Sequence, residues 1–356
     1  MQPYSPKQHK LRNSNFKKKF FRSFVIVLII AGLLYCGWFI LQIFNPLNLE
    51  ITEFTISEGE GVNQISYNLN QQGIIRSPFV FEAYAYLKGI ESDFKAGDYI
   101  LPSVINVKRL TEILIVGQSV EEWTLTIPEG WTINDIALRL EAIGNFKAEE
   151  LFEATGFNQP KNKINFDISE YDFLDDHPKN ISLEGYLFPD TYRYFAYATI
   201  DDVLRKMLNN FDKKLTQQMR DDIIAQDKTL FEIITMASII EREVKTEQDR
   251  PIVSGIFWNR LNIDMALQAD STVNYITGKK TPSVSLEDLE IDSPYNTYKY
   301  RGLPPGPISN PGLASIMAAI YPTDTDYLYF LTDTDGNVYY AKTFEEHVKN
   351  KNQYLR

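Results

Sequence analysis

The chain has 356 residues, 44% of them hydrophobic and 23% charged, with a formal net charge of −11, a length that suits two or three compact domains. The first 23 residues hold seven basic side chains (Lys7, Lys10, Arg12, Lys17, Lys18, Lys19, Arg22) and no acidic one, so the remainder carries −18. So acidic a body is a poor partner for nucleic acid, whose binding rests on neutralising phosphates, and no nucleic-acid partner is expected.

From Phe24 to Phe44 the chain is apolar except for Gly32, Gly37 and Gln42. These residues would make roughly 31 Å of helix, about the thickness of a bilayer core. Lys and Arg flank only the N-terminal side, so the sequence predicts an uncleaved single-pass anchor. Residues 1–23 are then a basic cytoplasmic tail, 24–44 the span, and everything after it lies outside the cytoplasm, on the cell (inner) membrane. A cleaved signal peptide would have a shorter apolar core ending in small residues, whereas this one ends Gln42-Ile43-Phe44-Asn45-Pro46. Tyr35 before Cys36 also speaks against a lipoprotein signal. Cys36 is the sole cysteine and lies in the span, which removes disulfides and thiolate sites from the exported part. His9, His177 and His347 are too sparse for a metal cluster or a Ser-His-Asp triad. No Gly-x-Ser-x-Gly elbow occurs, and Gly59-x-Gly61 has Gln64 where a dinucleotide fingerprint needs its third glycine. No metal and no cofactor are expected.

Beyond the span, Thr55-Ile56-Ser57-Glu58-Gly59 repeats 71 positions later as Thr126-Ile127-Pro128-Glu129-Gly130. Asn63, Ile65, Leu69 and Gly73 match Asn134, Ile136, Leu140 and Gly144 at the same offset. Each copy reads as a short strand, a glycine turn and a helix that ends at a glycine. The first copy continues into a second helix, Pro78 to Leu87, and a strand, Ala96 to Leu101. That strand-helix-helix-strand order resembles the LysM fold, a small module that grips peptidoglycan sugars in many proteins. The match lies in scaffold residues, so a mere spacer is an open alternative.

Asn158 to Asn180 is polar and irregular and reads as a linker or surface excursion. Helices are predicted over Ile200–Phe211, Leu215–Gln226, Leu230–Lys245 and Pro251–Asn262, and strands over Tyr327–Thr332 and Val338–Ala341. The fold class expected is α+β: a transmembrane helix, a LysM-like βααβ module over residues 50–120, and an α+β catalytic domain over 121–356.

The chemistry concentrates in the third of those helices. Thr229 and Glu232 have capping-box spacing, and Ile233 to Ile240 is almost wholly apolar, so the helix should be buried on most sides. Glu241 falls on one stripe with Ala237 and Ile234, while Glu243 points roughly 160° away. A carboxyl at the end of an apolar stripe loses hydration, which suits a general acid working near neutral pH. The residue pattern alone leaves a second reading open, in which Glu241 pairs with Arg250 or Arg260.

Ala237-Ser238-Ile239-Ile240-Glu241-Arg242-Glu243 resembles the signature helix of the endolytic murein transglycosylases, the YceG-like family. Further blocks agree in order: Leu183-Glu184-Gly185-Tyr186-Leu187-Phe188-Pro189-Asp190-Thr191-Tyr192; Phe257-x-Asn259-Arg260-Leu261; Leu267-Gln268-x-Asp270-x-Thr272-Val273; Tyr295-Asn296-Thr297-Tyr298; Gly302 to Ile308; and Asn310-Pro311-Gly312. Ala269 departs from the more polar residue expected there. The resemblance implies a lyase that cleaves the bond between N-acetylmuramic acid and N-acetylglucosamine within a glycan strand, leaving a 1,6-anhydromuramyl end and consuming no water. It implies Glu241 as the catalytic acid and base, which suits one carboxyl, whereas ordinary glycosidases flank the bond with two. Glu184, Gln268, Asp270, Asn296 and Tyr298 are its candidate substrate-binding residues, each equally able to brace a loop. Peptidoglycan strands would be the substrate and peptidoglycan synthases candidate partners. A non-enzymatic wall-binding scaffold is the alternative.

Overall fold

In the computed structural model the described residues are 8–49, 52–102, 104–117, 122–196, 198–279 and 283–355. They form two compact units, Met1–Glu121 and Glu122–Arg356.

The first unit opens on helix α1 (Gln8–Phe44), whose stretch Val25–Phe44 has a mean hydropathy of 2.4 and is long and apolar enough to cross a membrane. The end of this helix is built into the rest of the unit: Ile43 is buried, and β1 (Leu47–Asn48) pairs antiparallel with β4 (Val104–Ile105). Between them come β2 (Thr52–Ile56), α2 (Val62–Gln71), α3 (Pro78–Lys88) and β3 (Gly97–Leu101), and after them α4 (Val107–Val116). β2 and β3 pair antiparallel, Thr52 opposite Leu101 and Ile56 opposite Gly97, so the order is βααβ with a two-stranded sheet. The core is Phe54, Ile56, Ile65, Leu69, Phe81, Tyr99 and Leu110, drawn from alternate strand positions and one face of each helix.

The second unit begins with the same theme. β5 (Glu122–Thr126) leads through a glycine turn to α5 (Ile133–Ile143) and α6 (Ala148–Thr155), and β6 (Thr191–Phe195) closes the pair antiparallel to β5. The internal repeat is therefore a whole βααβ unit. In its second copy the closing strand is deferred by the residues between Thr155 and Thr191. Gly73 and Gly144 both adopt left-handed backbone where the first helix of each copy ends, at φ 72° and 87°. The deferred segment is not a linker, as polarity suggested. Phe166, Tyr171, Phe173 and Leu174 are buried and stack into the core with Tyr186 and Phe211. Its polar residues conceal a few large apolar anchors that a window average does not weigh.

Helices α7 (Ile200–Lys214), α8 (Gln217–Ala225), α9 (Leu230–Glu243) and α10 (Arg250–Asn262) lie within two or three residues of the predicted ends. Helices α4 and α6 lie outside the sequence reading, and so do three that follow α10: α11 (Asp270–Thr277), α12 (Leu286–Leu289) and α13 (Leu313–Ile320). The hairpin β7 (Tyr329–Thr332) and β8 (Val338–Ala341) and a last unforeseen helix, α14 (Phe344–Tyr354), complete the chain. α9 sits at the centre, with every residue from Ile233 to Ile240 buried, packed against α8, α10, α11 and α13. Its capping box forms as the sequence indicates: Thr229 Oγ1 accepts from Glu232 N at 3.1 Å, and Glu232 accepts from Thr229 N at 2.9 Å.

Candidate active site

The apolar run of α9 ends by delivering Glu241 to a polar junction of three segments. Glu241 Oε1 accepts from Arg250 Nη2, in the first turn of α10, at 2.9 Å. Its Oε2 accepts from the backbone N–H of Gly312, which precedes α13, at 3.0 Å. The side chains of Glu241 and Arg250 are 6% and 8% exposed. The ion pair that the second reading expects is present, and of the two arginines that spacing offers Arg250 is the partner. Arg260 instead donates to the carbonyls of Leu328 and Leu267.

A second carboxyl enters from the repeat turn. Glu129 Oε2 lies 3.8 Å from the same Arg250 Nη2, and its side chain is half-exposed. Burial and the negative charge of Glu241 push the Glu129 carboxyl above its ordinary range, against the pull of Arg250. Gly312 leaves room for it: a methyl group on that glycine would overlap the Glu129 carboxylate. The turn itself is pinned on both sides, by Gly130 N donating to Asn310 O at 2.9 Å and by Arg242 donating to Gly130 O at 3.0 Å. Sequence reasoning reaches Glu129 only as part of a repeat. Its acidic character is visible there, but its meeting with Arg250 is not.

Glu243 turns away from this junction, as helix geometry requires. It accepts from Ser271 N at 3.1 Å, at the start of α11, beside Asp270 and Arg260, and burial pushes its carboxyl upward.

Glu184 is 1% exposed. Both its oxygens accept from Ile133 N, at 3.0 and 3.2 Å, and Asn310 Nδ2 donates to Oε1 at 3.0 Å. Asn310 also accepts from Gly185 N and Leu187 N, at 3.0 and 2.9 Å, and donates to Trp131 O at 2.9 Å. The Glu184–Asn310 pair thus ties three backbone segments together two residues before Gly312. Gly185 is required there, because its φ of 94° is left-handed and a side chain would strike Pro307 and Ile234.

Burial pushes the Glu184 carboxyl up to about 8, against the bonds from Ile133 and Asn310 that pull it down. A folded-state value above the ordinary 4.5 means that the folded protein holds the proton more tightly. The stabilisation is complete below about pH 4.5 and is lost as the pH rises to about 8. Thermal melts at pH 5 and pH 8 should therefore show a larger drop for the native chain than for Glu184→Gln. Equal drops would remove Glu184 as the titrating group.

The remaining candidates form a second group around α11. Tyr298 Oη donates to Asp270 Oδ1 at 2.5 Å. Gln268 is exposed, adopts φ 49°, and bonds Thr297 O through its own N–H at 3.1 Å. Asn296 is fully buried; its amide donates to Leu289 O and Ile291 O, each at 2.9 Å, and its oxygen accepts from Tyr298 N at 3.1 Å. Asn296 thus has its amide groups engaged in the loop, while Gln268 keeps an outward side chain. Among the described residues, no group of three or more His, Cys, Asp or Glu side chains is placed to hold a metal ion.

A glutamate side chain that meets a guanidinium and an amide, at the end of an apolar helix and beside a half-exposed second carboxyl, is an arrangement that can hold and exchange a proton. The chain belongs to the YceG-like family, whose sequence profile matches residues 54–353. It is 34% identical over 338 residues to the endolytic murein transglycosylase of Bacillus subtilis (strain 168), covering 92% of this chain and 91% of that protein. It is 35% identical over 357 residues to that of Streptococcus pneumoniae serotype 2, covering 94% of this chain and 64% of that protein. A solved structure of a yceG-like protein from Listeria monocytogenes aligns with a TM-score of 0.55 at 35% identity, over 85% of this chain and 99% of that one.

Proposed function

We propose that the chain is a membrane-anchored endolytic lytic transglycosylase of peptidoglycan. Glu241 carries the reading: a carboxyl at the end of the family's signature helix, with its two oxygens aligned by Arg250 and Gly312 N–H. In the reaction, the bond from the muramyl anomeric carbon to the leaving oxygen breaks and the 6-hydroxyl oxygen bonds to that carbon. One proton moves from the 6-hydroxyl to the leaving oxygen, and Glu241 handles it. A wall-binding scaffold is the competing reading, and it predicts that no glycosidic bond is lost when glycan is added.

The finer assignments come from the same reading. Val25–Phe44 anchors the chain, with the basic tail in the cytoplasm and the rest outside. The βααβ order of the first unit supports a LysM-like module over residues 50–120 that holds glycan, leaving catalysis to 121–356. Gln268, Asp270 and Tyr298 are the substrate contacts we favour, with Glu184 and Asn296 bracing the loops behind them. Cutting inside a strand as it grows would end its elongation, which makes peptidoglycan synthases natural partners. Mass analysis of the products from intact glycan tests the chemistry, because an anhydro end is one water lighter than a hydrolysed end. Hydrolysed ends would overturn the reading. A cytoplasm-dependent reporter fused after Arg356 should stay silent, and an active one would reverse the topology.

A further inference from the structure

We propose that Glu129 is a second catalytic carboxyl, giving its proton to the departing glycosidic oxygen while Glu241 takes the proton of the muramyl 6-hydroxyl. The proposal rests on the transglycosylase reading and divides between two residues the work otherwise given to one.

Three observations carry it. Glu129 and Glu241 approach the same nitrogen of Arg250, at 3.8 and 2.9 Å. Both also converge on Gly312: its N–H bonds Glu241, and its missing side chain leaves the space that Glu129 fills. The two carboxyls nevertheless differ in what they can do. Each oxygen of Glu241 already accepts a hydrogen bond, one from a guanidinium and one from an amide, which is the setting of a proton acceptor. Among the described residues Glu129 has only the longer contact with Arg250, and its head is half in solvent while its turn is pinned at Gly130. It is thus free to turn an O–H toward a bound sugar, and its raised acid range supports the protonated form.

The arrangement also fits the stereochemistry. The 6-oxygen bridges to the face of the anomeric carbon that the leaving oxygen vacates. Donor and acceptor therefore belong side by side, as these two carboxyls are, and not on opposite faces of the ring as in an inverting hydrolase. The proton balance closes. Glu129 loses a proton to the leaving oxygen, Glu241 gains one from the 6-hydroxyl, and the proton returns from Glu241 to Glu129 before the next turnover.

The test uses the full chain and two substrates. One is polymeric glycan; the other is a muramyl glycoside with a 4-nitrophenolate leaving group, which departs without protonation. Glu129→Gln should slow anhydro formation from glycan about 10²-fold or more, and the loss should shrink to within about threefold on the nitrophenyl substrate. Glu241→Gln should be slow on both, since the 6-hydroxyl still needs a base. Glu129→Asp, shorter but still an acid, should recover part of the glycan activity. Near-normal glycan cleavage by folded Glu129→Gln would overturn the proposal, and so would equal losses on both substrates, which would make Glu129 a mere holder of Arg250. Neither result touches the function itself, which fails only if the native chain yields hydrolysed ends.

Discussion

Glu241→Gln should reduce anhydromuramyl product formation from glycan by at least the 10²–10⁴-fold that general acid–base catalysis typically supplies. The amide keeps the size of the carboxyl but can neither take nor return a proton. Glu243→Gln should be mild by comparison, since that side chain bonds Ser271 on the far side of the helix. The stability effect is set by Arg250. Considered from burial alone, a neutral amide should leave stability unchanged or raise it. The structure reverses that sign. Two donors, Arg250 Nη2 and Gly312 N–H, aim at the two oxygens of Glu241. Glutamine has one oxygen, so its NH₂ must face one of those donors, and Arg250 loses its close counter-charge. A loss of about 1–3 kcal/mol is expected, a melting point several degrees lower in a still cooperative transition. Product assays on both purified variants, with melting curves beside them, decide the matter. A folded Glu241→Gln with near-normal turnover, alongside a dead Glu243→Gln, would mean that the wrong glutamate has been chosen.

Asn310→Ala should be strongly damaging to the second unit while leaving both carboxyls of the site intact. It strips the acceptor from the buried Gly185 N and Leu187 N, and removes one of the donors to Glu184 and to Trp131 O, which keep Ile133 N and the residue 310 backbone N–H respectively. Buried donors left without partners cost about 1–3 kcal/mol each, so a total near 4 kcal/mol and a fall of roughly 8–15 °C in melting temperature are expected. Activity should fall with it even below the melting point, because Gly312 lies two residues on and aims its N–H at Glu241. Asn310→Asp should be no remedy, since it sets a second buried carboxyl against Glu184. Differential scanning calorimetry reads the effect directly. A shift within about 2 °C would show that the three segments hold together without Asn310.

Much of this is legible in the residues alone. The apolar period of α9, its Thr229–Glu232 cap and the opposite orientations of Glu241 and Glu243 come from 3.6-residue geometry. The glycine ends of α2 and α5 come from the repeat. What escapes is non-local. Arg250 is one of two arginines within reach on spacing grounds, and only packing chooses between them. Asn310 and Gly312 stand in a Pro/Gly-rich stretch, where turn chemistry says loop and does not say that an amide is aimed across to a helix end. α11 and α13 are eight residues each and lie in that same C-terminal third, too short for periodicity to outweigh their neighbours. The segment before β6 is misread because its polar majority hides Phe166, Tyr171 and Phe173, which carry its packing.

The turn that presents Glu129 is written twice in the chain. Glu58-Gly59 occupies the matching point of the first βααβ unit, and Gly59 and Gly130 share a left-handed backbone, at φ 81° and 76°. Glu58 is exposed, and among the described residues it forms no ion pair. The two copies are a matched pair in which the local script is constant and the surroundings vary. One glutamate stays an exposed side chain on the surface; the other is drafted into a charge triangle by an arginine far along the sequence. Reactivity here belongs to an encounter, and a short motif lifted out of this chain would carry the shape of the turn without the chemistry.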